Sequence, residues 1–90
     1  NLQPDHQLFS VDQALQPLAE RYQIMAKEKH LQLNYHKSSA LVNTDRKLLT
    51  RAVQNLLSNA LRYTEKGRIV LGFRRHQNSL TICISDTGSG

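Results

Sequence analysis

This ninety-residue sequence has no tryptophan, one cysteine, two prolines, four glycines and few acidic side chains. A single cysteine, Cys83, cannot close an internal disulfide. It reads as a small core or intersheet residue of a strand, compatible with a reducing compartment. No apolar run approaches the roughly 20 residues that a membrane-spanning helix needs, and no signal-peptide pattern is visible. The aromatics are Phe9, Tyr22, Tyr35, Tyr63 and Phe73. Most fall in apolar phases, which leaves no stacking platform for nucleic acid. Seven acidic residues stand against twelve lysines and arginines, for a net charge of +5. That balance favours anionic partners, although the basic residues are scattered. The one dense spot, Arg74 to His76, reads either as a solvated strand edge or as an anion patch. His6, His30, His36 and His76 read as surface or strand-edge residues, and no Cys/His spacing suggests zinc.

What is present suits one small domain with a modest core. Hydrophobic residues make up 39% and charged residues 21%, ordinary for a globular chain. "NLQPDHQ", residues 1–7, reads as a linker or ragged start. A short strand around Leu8 and Phe9 follows. Ser10 and Gln13 fit a capping box, and Val11, Leu15, Leu18, Tyr22 and Met25 are spaced as the apolar stripe of a helix reaching about Lys29. Pro17 inside it predicts a kink or a later true start. Leu31, Leu33 and Tyr35 alternate as a strand, and "LVN" is short enough to be either strand or loop. Asn43, Thr44 and Asp45 offer N-caps for a second helix. Gly67 reads as its C-cap or as a turn glycine. Two strands joined at Gln77-Asn78-Ser79 complete the order β-α-β-(β)-α-β-β.

The second helix carries two faces. At 100° per residue, Leu49, Val53, Leu56, Leu57 and Ala60 gather on one side. Asn55, Asn59 and Arg62, spaced four and three, form a stripe on nearly the opposite side. The stripe reads either as a solvated face or as a site. Asparagine competes with the helical backbone, so two on one mid-helix stripe carry a local cost, of the kind expected where function is served. An amide oxygen is a neutral hard donor that suits Mg²⁺, which takes one or two protein ligands beside substrate phosphates. Arg62 can hold a phosphate bidentately, and Tyr63 can offer a ring to a purine. In the last strand Leu80, Ile82 and Ile84 alternate, and Asp86 follows in the same phase, where a carboxylate requires a partner. It reads either as an Asp opening the "TGSG" turn or as an inward-facing acceptor.

"NLLSNALRYT" followed by "DTGSG" resembles the N box and first glycine box of sensor histidine kinases, which belong to the Bergerat-fold ATPases. The resemblance covers Leu8 to Gly90 in element order. It implies an α/β two-layer sandwich, a mixed sheet with helices packed on one face, and binding of ATP with Mg²⁺. Asn59 matches the metal-coordinating asparagine. Asn55 stands where the gyrase-like branch places a water-activating glutamate. Arg62 stands where lysine is common and would contact phosphate. Tyr63 would lie along the adenine, and Asp86 would accept from its amino group. Gly88 and Gly90 match the glycines that let the backbone approach the base and turn into the lid. An acceptor-only carboxylate suits a 6-amino group and rejects a 6-oxo edge.

The resemblance also implies a parent protein that transfers the ATP γ-phosphoryl to a histidine on a neighbouring dimerisation domain of the same protein, and thence to a response regulator. None of the four histidines here is followed by the acidic residue and proline of the family's phosphoacceptor. Gly90 reads as a cut within a longer chain, before a lid, a second glycine box and further strands. By itself the chain is expected to bind nucleotide weakly or not detectably, and not to act as an enzyme. A sheet without its later strands exposes an edge and an apolar face, which is expected to favour a homodimer; the resemblance implies a cytoplasmic location, in a parent either free or anchored in the inner membrane. A scaffold of the same fold used only for protein contacts is the alternative.

Overall fold

The computed structural model describes residues 6–77 and 79–87. Seven elements follow in order: β1 (His6–Ser10), α1 (Val11–Glu28), β2 (Gln32–Tyr35), β3 (Leu41–Asp45), α2 (Arg46–Tyr63), β4 (Arg68–His76) and β5 (Ser79–Thr87). This is the order read from the sequence, with Leu41–Asp45 formed as a strand. Strand β1 takes in His6 and Gln7, two residues of the stretch read as a linker. β1 and β3 pair antiparallel as a two-stranded sheet. β2, β4 and β5 form a mixed sheet with β4 in the middle, parallel to β2 and antiparallel to β5. α1 packs on β2, α2 on β5, and the two helices on each other. The core lies between the layers, where Leu15, Val53, Leu57, Ile69 and Leu71 are fully buried.

Helix α1 buries Val11, Leu15, Leu18 and Tyr22, as their spacing predicts, but Met25 is 43% exposed. Ala26, one position on, takes the inward place. The capping box does not form. Ser10 has N-cap geometry without a side-chain cap bond, and the first helical amide, Val11, donates to the Ala40 carbonyl at 3.1 Å. The helix also runs through Pro17 rather than starting there. Proline has no N–H, so the Gln13 carbonyl four residues earlier loses its helical donor. Arg46 Nη2 donates to that carbonyl at 3.3 Å, and its guanidinium lies 5.6 Å from the centre of the Phe9 ring. At the other end His30 takes a left-handed φ of 63°. The Leu31 amide donates to Ala26 O at 2.8 Å and the His30 amide to Lys27 O at 3.0 Å. Those two bonds make a Schellman ending, with histidine where glycine is usual.

Helix α2 is capped by Asp45, whose carboxylate accepts from the Leu48 amide at 3.0 Å. Its buried stripe is Val53, Leu57 and Leu61, whereas Leu56 is 45% exposed. The face is centred on Leu57, and Leu56 lies 100° to one side of that centre. Tyr22 Oη and Ser58 Oγ, 2.9 Å apart, tie the helices together, and Lys29 Nζ donates to the Leu61 carbonyl in the last turn of α2. The C-cap is Thr64, so Gly67 (φ 105°) is the turn glycine leading into β4. Along β5, Leu80, Ile82 and Ile84 are half-buried and Thr81, Cys83 and Ser85 exposed. Cys83 is therefore not a core residue: none of the described residues covers the outer face of the sheet at that position.

Candidate functional site

Packing decides where the polar stripe of α2 goes. With Val53, Leu57 and Leu61 turned into the core, Asn55, Asn59, Arg62 and Tyr63 come to the exposed face of the helix. Tyr63 is 70% exposed, and the Arg62 guanidinium lies 6.0 Å from its ring centre. The pair presents a cation and an aromatic surface side by side at the end of the helix. Neither asparagine sits at a helix end, so neither is explained as a cap.

The topology then brings a second element to the same place. α2 ends at Tyr63, the chain turns at Gly67, and β4 starts at Arg68, whose register partner on β5 is Thr87. The next positions pair Ile69 with Asp86 and Leu71 with Ile84. The last turns of α2 and the last residues of β5 thus lie at one end of the sheet. Ile69 and Leu71 are fully buried, so position 86 falls in register with the core-facing positions of β4. The side chain of Asp86, and Gly88 and Gly90 entirely, lie outside the described residues.

Among the described residues, no three His, Cys, Asp or Glu side chains stand together as a metal cage. A cation on this face would draw on the amide oxygen of Asn59, with Asn55 one turn earlier and the remaining positions filled by ligand oxygens and water. Mg²⁺, which keeps several waters and takes few protein ligands, fits such a donor set. Thr64, the last residue of the α2 motif and given no role in the sequence reading, is buried at a relative exposure of 1%. Its amide donates to the Ala60 carbonyl at 3.0 Å, closing α2 directly beneath Tyr63. That backbone bond closes the helix end that carries Arg62 and Tyr63.

Several known proteins share these features. A family model described as histidine kinase-, DNA gyrase B-, and HSP90-like ATPase matches residues 44–90. The "aerobic respiration control sensor protein ArcB homolog" of Haemophilus influenzae is 36% identical across 73% of this chain and 21% of that protein. The "autoinducer 2 sensor kinase/phosphatase LuxQ" of Vibrio vulnificus is 32% identical across 91% of this chain and 11% of that protein. The chain thus spans about a fifth or less of the length of these curated relatives. Among solved structures, the histidine kinase AdeS of Acinetobacter baumannii superposes with a TM-score of 0.82 at 21% identity, over 99% of this chain and 45% of that one. That likeness establishes the fold: α+β, mixed sheet, helices on one side.

Proposed function

The chain belongs to the histidine kinase-, DNA gyrase B- and HSP90-like ATPase family, as part of a sensor histidine kinase ATP-binding domain, and from that premise we propose how its residues receive ATP and Mg²⁺. Asn59 supplies an amide oxygen to the metal. Asn55, one turn earlier, is a neutral neighbour that cannot act as a general base, which suits a kinase that must not spend its nucleotide on water. Arg62 holds phosphate oxygens, and Tyr63 covers one face of the base. Asp86 accepts from the adenine amino group, and Gly88 and Gly90 allow the backbone close to the base. The protein's part in phosphoryl transfer is positioning and charge neutralisation. On this reading the γ-phosphoryl passes to a histidine of a neighbouring dimerisation domain of the same protein and then to a response regulator.

A homodimer is part of the same proposal. β5 is an outer strand of the mixed sheet, and an outer strand offers backbone groups to another copy. Sedimentation should show a dimer population that grows with protein concentration; a monomer at all concentrations removes this element.

The observation that carries the nucleotide reading is the convergence of the Asn59–Tyr63 end of α2 with the Asp86 end of β5. It is tested by titrating Mg²⁺·ATP into a version of the chain that carries a glycine-rich lid segment after Gly90. Asp86→Asn, which swaps an acceptor for a mixed donor and acceptor, should weaken binding by about 10- to 100-fold, as expected for a lost charge-assisted hydrogen bond. Asn59→Ala should weaken the Mg²⁺-dependent part alone. Unchanged affinity in both variants would dismiss the nucleotide reading in favour of a protein-contact scaffold.

A further inference from the structure

At the opposite end of β4 and β5 from the asparagines there is a hollow of about 560 Å³, within the usual range for small-molecule sites. It is built from the β2–β3 connection and the hairpin end of the sheet. Its cations come from segments far apart in sequence: Lys37 from the connection, with His36 beside it, and Arg75 from β4. Ser39 adds a hydroxyl, and Phe73 and Leu80 make an apolar wall. Among the described residues, no Asp or Glu lines it. The carboxylate held nearby, Asp12, already accepts from the Tyr35 hydroxyl and from the Ser38 amide at 3.0 Å.

Two like charges converging on a concavity without a counter-charge raise its potential, and the low-dielectric wall focuses that field. An inorganic anion alone would satisfy the cations and leave Phe73 and Leu80 wet. The lining asks for both an anionic head and an apolar body. From Leu80 to Asp86 is six residues of strand, about 20 Å at ~3.4 Å per residue, so this hollow is separate from the proposed nucleotide site.

We propose that this hollow binds a small organic anion, with a phosphate or carboxylate head between Lys37 and Arg75 and an apolar body against Phe73 and Leu80. Arg75 offers the paired N–H geometry that both heads accept. The dense basic run at Arg74–His76 is then in part an anion site, one half of which the β2–β3 connection supplies.

The test is a backbone amide chemical-shift titration of the ninety-residue chain with phenyl phosphate, benzoate, inorganic phosphate and benzyl alcohol. Phenyl phosphate or benzoate should give saturating shifts confined to residues 36–41, 73–75 and 80, and whichever binds tighter identifies the head group. Inorganic phosphate and benzyl alcohol, each carrying half of the chemistry, should bind at least tenfold more weakly. The double variant Lys37→Gln, Arg75→Gln should lose at least tenfold in affinity for the organic anion with its spectrum otherwise dispersed as before, while Arg21→Gln, on exposed α1, should lose nothing. Shifts spread over the surface without saturating, equal affinity for inorganic and phenyl phosphate, or unchanged binding in the double variant would each overturn the proposal.

Discussion

His30 and Tyr35 show how single residues meet constraints that the surrounding fold imposes. His30 holds a left-handed φ of 63° because the Schellman bonds from His30 and Leu31 fix the chain there. An L-residue pays about 1–2 kcal/mol for that conformation, and glycine does not. His30→Gly should therefore stabilise the domain by about 1 kcal/mol in denaturant unfolding; a loss of stability would mean that the histidine side chain does something the backbone does not reveal. Tyr35 packs edge-on against Phe73, with ring centres 6.0 Å apart, and donates to Asp12. Burial first, then the hydrogen bond to Asp12 and its negative charge, push the phenol well above its ordinary value. A raised folded-state value means stability that is intact below the unfolded phenol's titration, near pH 10, and is lost as pH rises beyond it. Between about pH 9 and pH 11 the wild type should lose more unfolding free energy than Tyr35→Phe. Equal losses would show that the phenol does not titrate differently in the two states.

Among the elements, the helices were the most legible in sequence and their fine contacts the least. The 3.6-residue spacing located α1 and α2 and placed Asn55, Asn59 and Arg62 on the outward face, because periodicity and burial report the same thing. It misplaced Leu56 and Met25, which sit at the margins of their stripes, where a shift in helix rotation of a few tens of degrees decides burial. The capping box is a separate matter: Ser10 holds N-cap geometry without its side-chain bond, and the first helical amide, Val11, donates to the Ala40 carbonyl, a partner 29 positions away that no local pattern discloses. Pro17 is the clearest case: sequence predicts a kink or a later helix start, and the structure starts the helix at Val11 and gives the orphaned Gln13 carbonyl to Arg46 from the start of α2. Arg46→Ala should cost roughly 1 kcal/mol, the scale of one hydrogen bond. In a Pro17→Ala background, where residue 17 regains its N–H, that cost should shrink, a coupling that a double-mutant cycle measures. Strict additivity would mean that Arg46 contributes through Phe9 and not through the carbonyl.

For the whole molecule, what sequence could not supply was juxtaposition. The motif on α2 and the motif after β5 were readable separately, but their common location depends on the turn at Gly67 and on the Arg68–Thr87 register. Parallel pairing of β2 with β4 likewise brings the β2–β3 connection to the hairpin end, which is why Arg74–His76 alone could not be told apart as a strand edge or an anion patch. The same topology separates the two ends of the sheet, so that one carries the asparagines of α2 and the other the basic hollow. None of the described helices is long and apolar enough to cross a membrane. The account stands most directly on nucleotide and metal meeting at the first of those ends. Mn²⁺·ADP, titrated into the same extended chain as Mg²⁺·ATP, is the probe, because a paramagnetic ion broadens only nearby resonances. On titration, the side-chain amides of Asn55 and Asn59 and the backbone amides of Ser85 to Thr87 should broaden together, while Gln77 and Lys37 stay sharp and diamagnetic Mg²⁺·ADP broadens none. Broadening confined to the hairpin end, or spread evenly over the chain, would contradict it.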